Sequence, residues 1–206
     1  MLKFYFAPGT CALASRIALE EAGADYEPVR VDFASTQQRS PEYLKVNPKG
    51  RVPALVTDRG ILTETPAILA YIAQIYPRAN LAPLDDAFAF AQVQSFNSYL
   101  CSTVHVAHAH RMRGYRWADD PAAIAAMQRM VPKSVGECFA LIESEMFKGP
   151  WVMGENFTVC DPYLFTLTRW LKADGVDSAR FAKVHAHMLL MADRPAVQRA
   201  LADEPR

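Results

Sequence analysis

The sequence is short of signatures, and each missing one removes a class of protein. Its nine glycines never fall into G-x-G-x-x-G or a P-loop, and there is no G-x-S-x-G and no H-E-x-x-H. The usual marks of a dinucleotide site, a phosphate loop, a hydrolase elbow and a zincin helix are therefore lacking. The four cysteines, Cys11, Cys101, Cys138 and Cys160, lie far apart with no C-x-x-C pair. That spacing suggests neither a disulfide framework nor a zinc site, and a reducing cytoplasm fits it best. No apolar run approaches the ~20 residues of a membrane-spanning helix. Charge of one sign is also missing: Lys+Arg 22 against Asp+Glu 22 gives a formal net charge of zero. This balance argues against a nucleic-acid binder and against a polybasic membrane-surface module. At the start, Pro8-Gly9 interrupts the apolar stretch too early for a secretory leader.

What is present is an ordinary globular composition, 51% apolar and 21% charged over 206 residues. That length makes one large domain or two small ones. Residues 3–6 read as a short strand, ended by Pro8-Gly9. A helix from about Cys11 to Ala22 follows, with Leu13, Ile17 and Leu19 towards a core and Gly23 as its stop. Tyr26 to Val31 alternates as a second strand. Ser40-Pro41 opens a brief helix through Val46. Val52 to Val56 and Ile61 to Thr63 make two more strands about Asp58-Arg59-Gly60, and Thr65-Pro66 opens a helix to Tyr76. The order is β-α-β-α-β-β-α. The stretch from Pro77 to Pro83 reads as a linker, and everything beyond it has a helical pattern. One long helix is expected over Ala87 to His110, and another from Asp120-Pro121 to Phe147 with Pro132 as a kink or break. A capping box of Thr158 and Asp161 opens the next.

Two stretches carry chemistry. In Pro8-Gly9-Thr10-Cys11, a cysteine in the first turn of a helix sits among unpaired backbone N–H groups that favour negative charge. Its pKa is expected to fall below the free value of ~8.5, against the alternative of a small buried hydrophobe. In Val52-Pro53 with Thr63-Glu64-Thr65-Pro66, the proline lacks a ladder N–H. At the strand-to-helix junction the Thr65 N–H and hydroxyl suit a carboxylate and the Glu64 carboxylate suits an ammonium, the two ends of an amino acid zwitterion. The bland alternative is a helix cap with a dipole partner. The other three cysteines and the tryptophans, Trp117, Trp151 and Trp170, read as packing residues. His105 and His108 share a helix face, but His110 is about 140° round from His105, so no metal site is expected.

These pieces occur together and in order. Phe4 through Cys11, Val46 through Leu55 (VNPKGRVPAL), Leu62 through Ile68 (LTETPAI), Phe157 through Phe165 and Arg194 through Gln198 resemble a cytosolic glutathione transferase over nearly the whole chain. The cysteine at the first helix start is most similar to the bacterial beta class. The resemblance implies an α/β thioredoxin-like N-terminal domain, residues 1–78, a linker, 79–86, and an all-α helical C-terminal domain, 87–206, assembled as a homodimer. It implies glutathione as co-substrate, with the cysteinyl backbone paired at Val52 before a cis Pro53, the γ-glutamyl zwitterion at Glu64 and Thr65, and Cys11 facing the sulfur. His105 matches a beta-class histidine lining the same cleft. Thr36 and Val106 stand where the class commonly has lysines, which leaves the glycyl carboxylate to Arg51 or Lys49. Pro162, taken as the fourth helical position after Thr158, is expected to forfeit a helix bond.

The expected activity is conjugation of glutathione to a small hydrophobic electrophile, with Thr10 among the hydroxyls activating the thiol, or thiol–disulfide exchange through Cys11. An ionised Cys11 would set two anions side by side, which suits exchange better than conjugation. The second substrate is expected near Phe96, His105, Arg111 and Tyr115. A non-catalytic binder of hydrophobic ligands or a protein partner, and a glutathione-dependent isomerase, peroxidase or dehalogenase, are the rival readings.

Overall fold

The computed structural model describes residues 1–204; the last two residues of the expected helical domain lie outside the described residues. The chain opens with β1 (Leu2–Phe6), α1 (Ala12–Glu21) and β2 (Tyr26–Arg30), followed by the short α2 (Pro41–Val46). It continues with β3 (Ala54–Thr57), β4 (Gly60–Thr63) and α3 (Thr65–Ile75). The order is that expected, and the sheet runs β2-β1-β3-β4. β1 and β2 are parallel because α1 carries the chain back across the sheet, whereas β3 and β4 form an antiparallel hairpin closed by the pair Thr57–Gly60. β3 begins at Ala54, two residues later than its hydrophobic pattern suggests. The Val52–Pro53 peptide is cis, and the last pair with β1 is Tyr5–Ala54, so the Val52 backbone lies beyond the ladder.

α1 is the central helix. Its Ala14, Ala18 and Leu19 belong to the cluster with Phe4, Phe6 and Leu55 of the sheet. Leu13 and Ile17 pack instead with Phe165, Met191, Val197 and Ala200 of the helical part. One ten-residue helix thus buries two faces, and that joins the two halves. Ion pairs reinforce the joint: Arg194 Nη2 donates to Glu21 at 2.8 Å and Arg199 Nε to Glu20 at 2.7 Å.

The helical part comprises α4 (Ala87–Tyr99), α5 (His105–Arg113), α6 (Pro121–Leu141), α7 (Cys160–Thr168), α8 (Ala182–Ala192) and α9 (Pro195–Leu201). α4 and α5 are joined without a break by a π-helical stretch, Leu100–Val104, where one continuous α-helix was expected. Asp86 caps α4 by accepting from the Phe88 and Ala89 N–H groups, and Asp120 caps α6 ahead of Pro121. α6 runs through Pro132 to Leu141 and is not broken there.

The capping box at α7 is present in altered form. Asp161 accepts from the Thr158 N–H at 2.7 Å, but the Thr158 hydroxyl accepts from Cys160, not Asp161. The same buried carboxylate also accepts from the Val152 N–H at 2.8 Å and lies 3.0 Å from His187 Nε2. Because α7 begins at Cys160, Pro162 is its third residue, a position whose N–H has no partner within a helix. The forfeited bond expected there does not arise.

Candidate active site

A cleft of about 430 Å³ opens between the two halves. Its sheet-side wall is built by turns. The loop ahead of α1 brings Gly9, Thr10 and Cys11, the turn ahead of β3 brings Arg51, Val52 and Pro53, and the start of α3 brings Glu64 and Thr65. Glu64 holds its backbone at φ 72°, a left-handed conformation that aims the strand end into the helix. Thr65 is the first helical residue, so its N–H is one of those a helix leaves unpaired.

Cys11 caps the start of α1 and its Sγ donates to the Val52 carbonyl at 3.7 Å. The expected acidic thiol is not found. Burial pushes the Cys11 thiol above its usual value, outweighing the Thr65 hydroxyl and the Arg113 charge, which pull it down, while Cys101 and Glu64 add to the rise. Desolvation wins over the helix start because the thiol faces packed neighbours as well as N–H groups.

Thr10 lines the cleft, but its hydroxyl proton is committed to the Ala7 carbonyl at 2.6 Å, and its oxygen accepts from the Ala12 N–H at 3.3 Å. In this arrangement it stabilises the entry to α1, with its proton donated within the loop. Lys49 reaches across to Glu64 and also donates to the Thr63 hydroxyl at 2.7 Å. Both ends of the Lys49–Glu64 pair are about half exposed, at 43% and 55%, so water screens it and either charge can be recruited by a ligand.

The helical wall comes from α5 and the turn beyond it. His105 faces the cleft, edge-on to Trp170 at 5.2 Å. Burial, with the charges of His108, Arg113, Arg116 and Arg51, lowers its pKa to about 4, so the ring is neutral at pH 7. His108 is stacked on Trp170 at 4.2 Å and hydrogen-bonded through Nδ1 to both Asp174 oxygens at 2.8 Å. Arg111 lies 3.1 Å from the same carboxylate.

Of the residues expected near a second substrate, His105, Arg111 and Tyr115 line the cleft. Phe96 does not: it is 2% exposed in the core beneath α4. The apolar spacing of α4 that marks Phe96 marks its core face, and the change of register at Leu100–Val104 turns the following residues towards the cleft. Cys101, read as packing, lines the cleft, as do Trp117, Trp170, Tyr163, Arg113 and Arg116. The basic cluster Arg111-Met112-Arg113-Gly114-Tyr115-Arg116 was the available sequence signal for the last two. Among the described residues no group of three or more His, Cys, Asp or Glu side chains could hold a metal ion. No helix among them is long and apolar enough to cross a membrane.

A four-stranded sheet with a cysteine at its first helix start, set against an all-helical half across an open cleft, defines a two-part protein of thioredoxin-like and helical halves with a thiol on the cleft between them. The comparisons name the family. Residues 1–74 match the model of the glutathione S-transferase N-terminal domain. Glutathione S-transferase GstA of Escherichia coli O157:H7 is 33% identical, the match covering 98% of each chain. A glutathione transferase homologue from Sulfitobacter, solved with bound glutathione, superposes with a TM-score of 0.93 at 49% identity, covering 97% of this chain and 96% of that one. A beta-class glutathione S-transferase of Sphingomonas chungbukensis superposes with a TM-score of 0.84 at 35% identity, covering 97% and 96%. The chain belongs to the glutathione S-transferase family, and its activity is that of a glutathione-dependent transferase.

Proposed function

We propose that the cleft binds glutathione along its sheet-side wall and conjugates it to a small hydrophobic electrophile held against α5. The supporting observation is that Cys11, Val52, Glu64 and Thr65, drawn from three separate turns, converge on one cleft. The Glu64 carboxylate takes the γ-glutamyl ammonium, and the Thr65 N–H and hydroxyl take the γ-glutamyl carboxylate. The Val52 backbone, set by the cis Pro53 beyond the β1 ladder, pairs with the cysteinyl unit. Arg51 and Lys49 hold the glycyl carboxylate in place of a lysine at 36. Residues 1–78 form the glutathione domain, 79–86 the linker, and the chain from 87 onward the second-substrate side. The protein is a beta-type homodimer of the cytoplasm.

A free thiol of pKa ~8.5 is only about 3% ionised at pH 7, so the site must stabilise the glutathione thiolate. Cys11 helps by staying protonated. The raised thiol removes the like-charge objection, leaving a neutral S–H beside the incoming sulfur instead of a second anion. With an aryl chloride as the electrophile, the glutathione sulfur bonds to the ring carbon, the carbon–chlorine bond breaks with its electron pair on chloride, and the thiol proton goes to solvent.

Thiol–disulfide exchange through Cys11 is the second reading, favoured by one observation: Cys101 puts a second thiol on the same cleft. Titration calorimetry with glutathione, turnover of 1-chloro-2,4-dinitrobenzene and intact mass after oxidised glutathione separate the two. Turnover without an adduct supports conjugation, a single adduct on Cys11 supports exchange, and absence of glutathione binding refutes both.

A further inference from the structure

We propose that the helical wall of the cleft selects anionic electrophiles, which present a carboxylate to Arg113 and Arg116 and lay an apolar body against Trp117 and Tyr115. This rests on the glutathione reading above and adds the charge of the second substrate to it.

The chain as a whole is neutral, yet its cleft is not. Among the described residues the cleft is lined by five arginines and one carboxylate, Glu64. Several acids of the surrounding elements are already engaged. Lys49 holds Glu64, His108 and Arg111 share Asp174, and Asp120 accepts the Ala122 N–H at the start of α6. Arg51, Arg113 and Arg116 make no ion pair with any carboxylate among the described residues.

Guanidinium groups gathered without a counter-ion repel one another, and the effect is visible. Burial, then Arg113 and Arg51, disfavour the charge on Arg116, and all three arginines disfavour a charge on His105. An arginine does not lose its proton near neutral pH, so a ligand anion is what relieves such a cluster. Arg51 lies on the sheet side, in reach of the glycyl carboxylate. Arg113 and Arg116 stand on the opposite wall, with the exposed Trp117 and Tyr115 beside them. The Arg113 charge reaches the Cys11 sulfur from across the cleft, so an anion bound at Arg113 faces the wall on which the glutathione sulfur is placed. A cleft of one sign with low-dielectric walls also concentrates oppositely charged substrates.

A carboxylate at these arginines has two sources, the electrophile or the glycyl end of glutathione. The experiment compares 4-chloro-3,5-dinitrobenzoate with neutral 1-chloro-2,4-dinitrobenzene in the full chain and in Arg113→Gln and Arg116→Gln. Each kcat/KM is divided by the uncatalysed rate with glutathione. The normalised ratio is expected to favour the benzoate in the parent protein, to fall about tenfold or more in either variant, and to shrink as salt is raised. Arg116→Lys is expected to restore part of it. A ratio that stays constant while both rates fall, a structural effect, overturns the proposal. So does a constant ratio with a raised KM for glutathione, which assigns the arginines to the glycyl carboxylate. Turnover with no charge preference in the parent protein overturns the anion proposal alone. Absence of turnover together with absence of glutathione binding overturns the glutathione reading and the proposal with it.

Discussion

The two walls of the cleft are made of different material. The sheet-side wall is set by main chain: the Val52 backbone, the Thr65 N–H and the left-handed Glu64 are held at turns, and these turns also fix where the Cys11, Arg51 and Glu64 side chains stand. The helical wall is almost all side chain, with His105, Arg113, Arg116 and Trp117 projecting from α5 and the turn beyond. Turn geometry changes only when the fold changes, whereas a wall of helix side chains changes with every substitution. Under the proposed reading, the place of the constant co-substrate belongs to the fold, and choice of the variable partner belongs to individual residues.

The largest blow to this arrangement is expected from a buried carboxylate of the helical half that does not line the cleft. Asp161→Ala leaves His187 and the Val152 and Thr158 N–H groups without their buried acceptor. Such a loss is worth about 3–5 kcal/mol, read as a fall in the urea midpoint. An unfolding free energy within ~0.5 kcal/mol of the parent would mean that the helices do not depend on this carboxylate.

The next effect is one of pH. His105 has its folded pKa lowered from 6.5 to about 4, so in that window the unfolded chain binds the extra proton. Stability rises with pH there, being complete above 6.5 and lost as pH falls towards 4. His105→Gln is expected to flatten that part of the Tm-versus-pH curve; curves of equal slope would show that burial does not hold the ring neutral on folding.

Smaller effects test the other wall. Glu64→Ala is expected to weaken glutathione about tenfold by calorimetry while barely altering stability, since its pair with Lys49 is solvent-screened. Unchanged affinity would remove the ammonium from Glu64. Cys11→Ala is expected to change glutathione affinity by no more than about twofold, ~0.4 kcal/mol, because the backbone and Glu64–Thr65 carry it. A large loss would make the thiol itself a binding group.

The same contrast governs what could be read from sequence. Prolines, glycines and strand–turn junctions announce main-chain geometry, so Val52-Pro53, Glu64-Thr65 and the β-α-β-α-β-β-α order were legible. The side-chain wall was less so, because apolar spacing along a helix reports the face turned to the core. That rule fitted Phe96, but it gave the core and not the cleft; Cys101 and Trp170 do pack against the core as expected, and with Trp117 they also line the cleft, which packing alone does not announce. Cys11 was placed correctly and its ionisation was not. The helix start is visible in sequence, but the burial that overrides it comes with the folded packing, in which the Cys11 thiol meets the Val52 carbonyl, 41 positions further on.

The π-helical stretch at Leu100–Val104 gives the arrangement a phase. A π-turn holds one residue more than an α-turn, so it works as a one-residue insertion absorbed without a break. Everything downstream is rotated by about 100° relative to an uninterrupted helix. Deleting one residue between 100 and 104 would restore the α-helical count and turn His105 and Arg113 away from the cleft together. The chemistry of this wall is thus indexed by position along a rod, and a frame of one decides which residues a substrate meets.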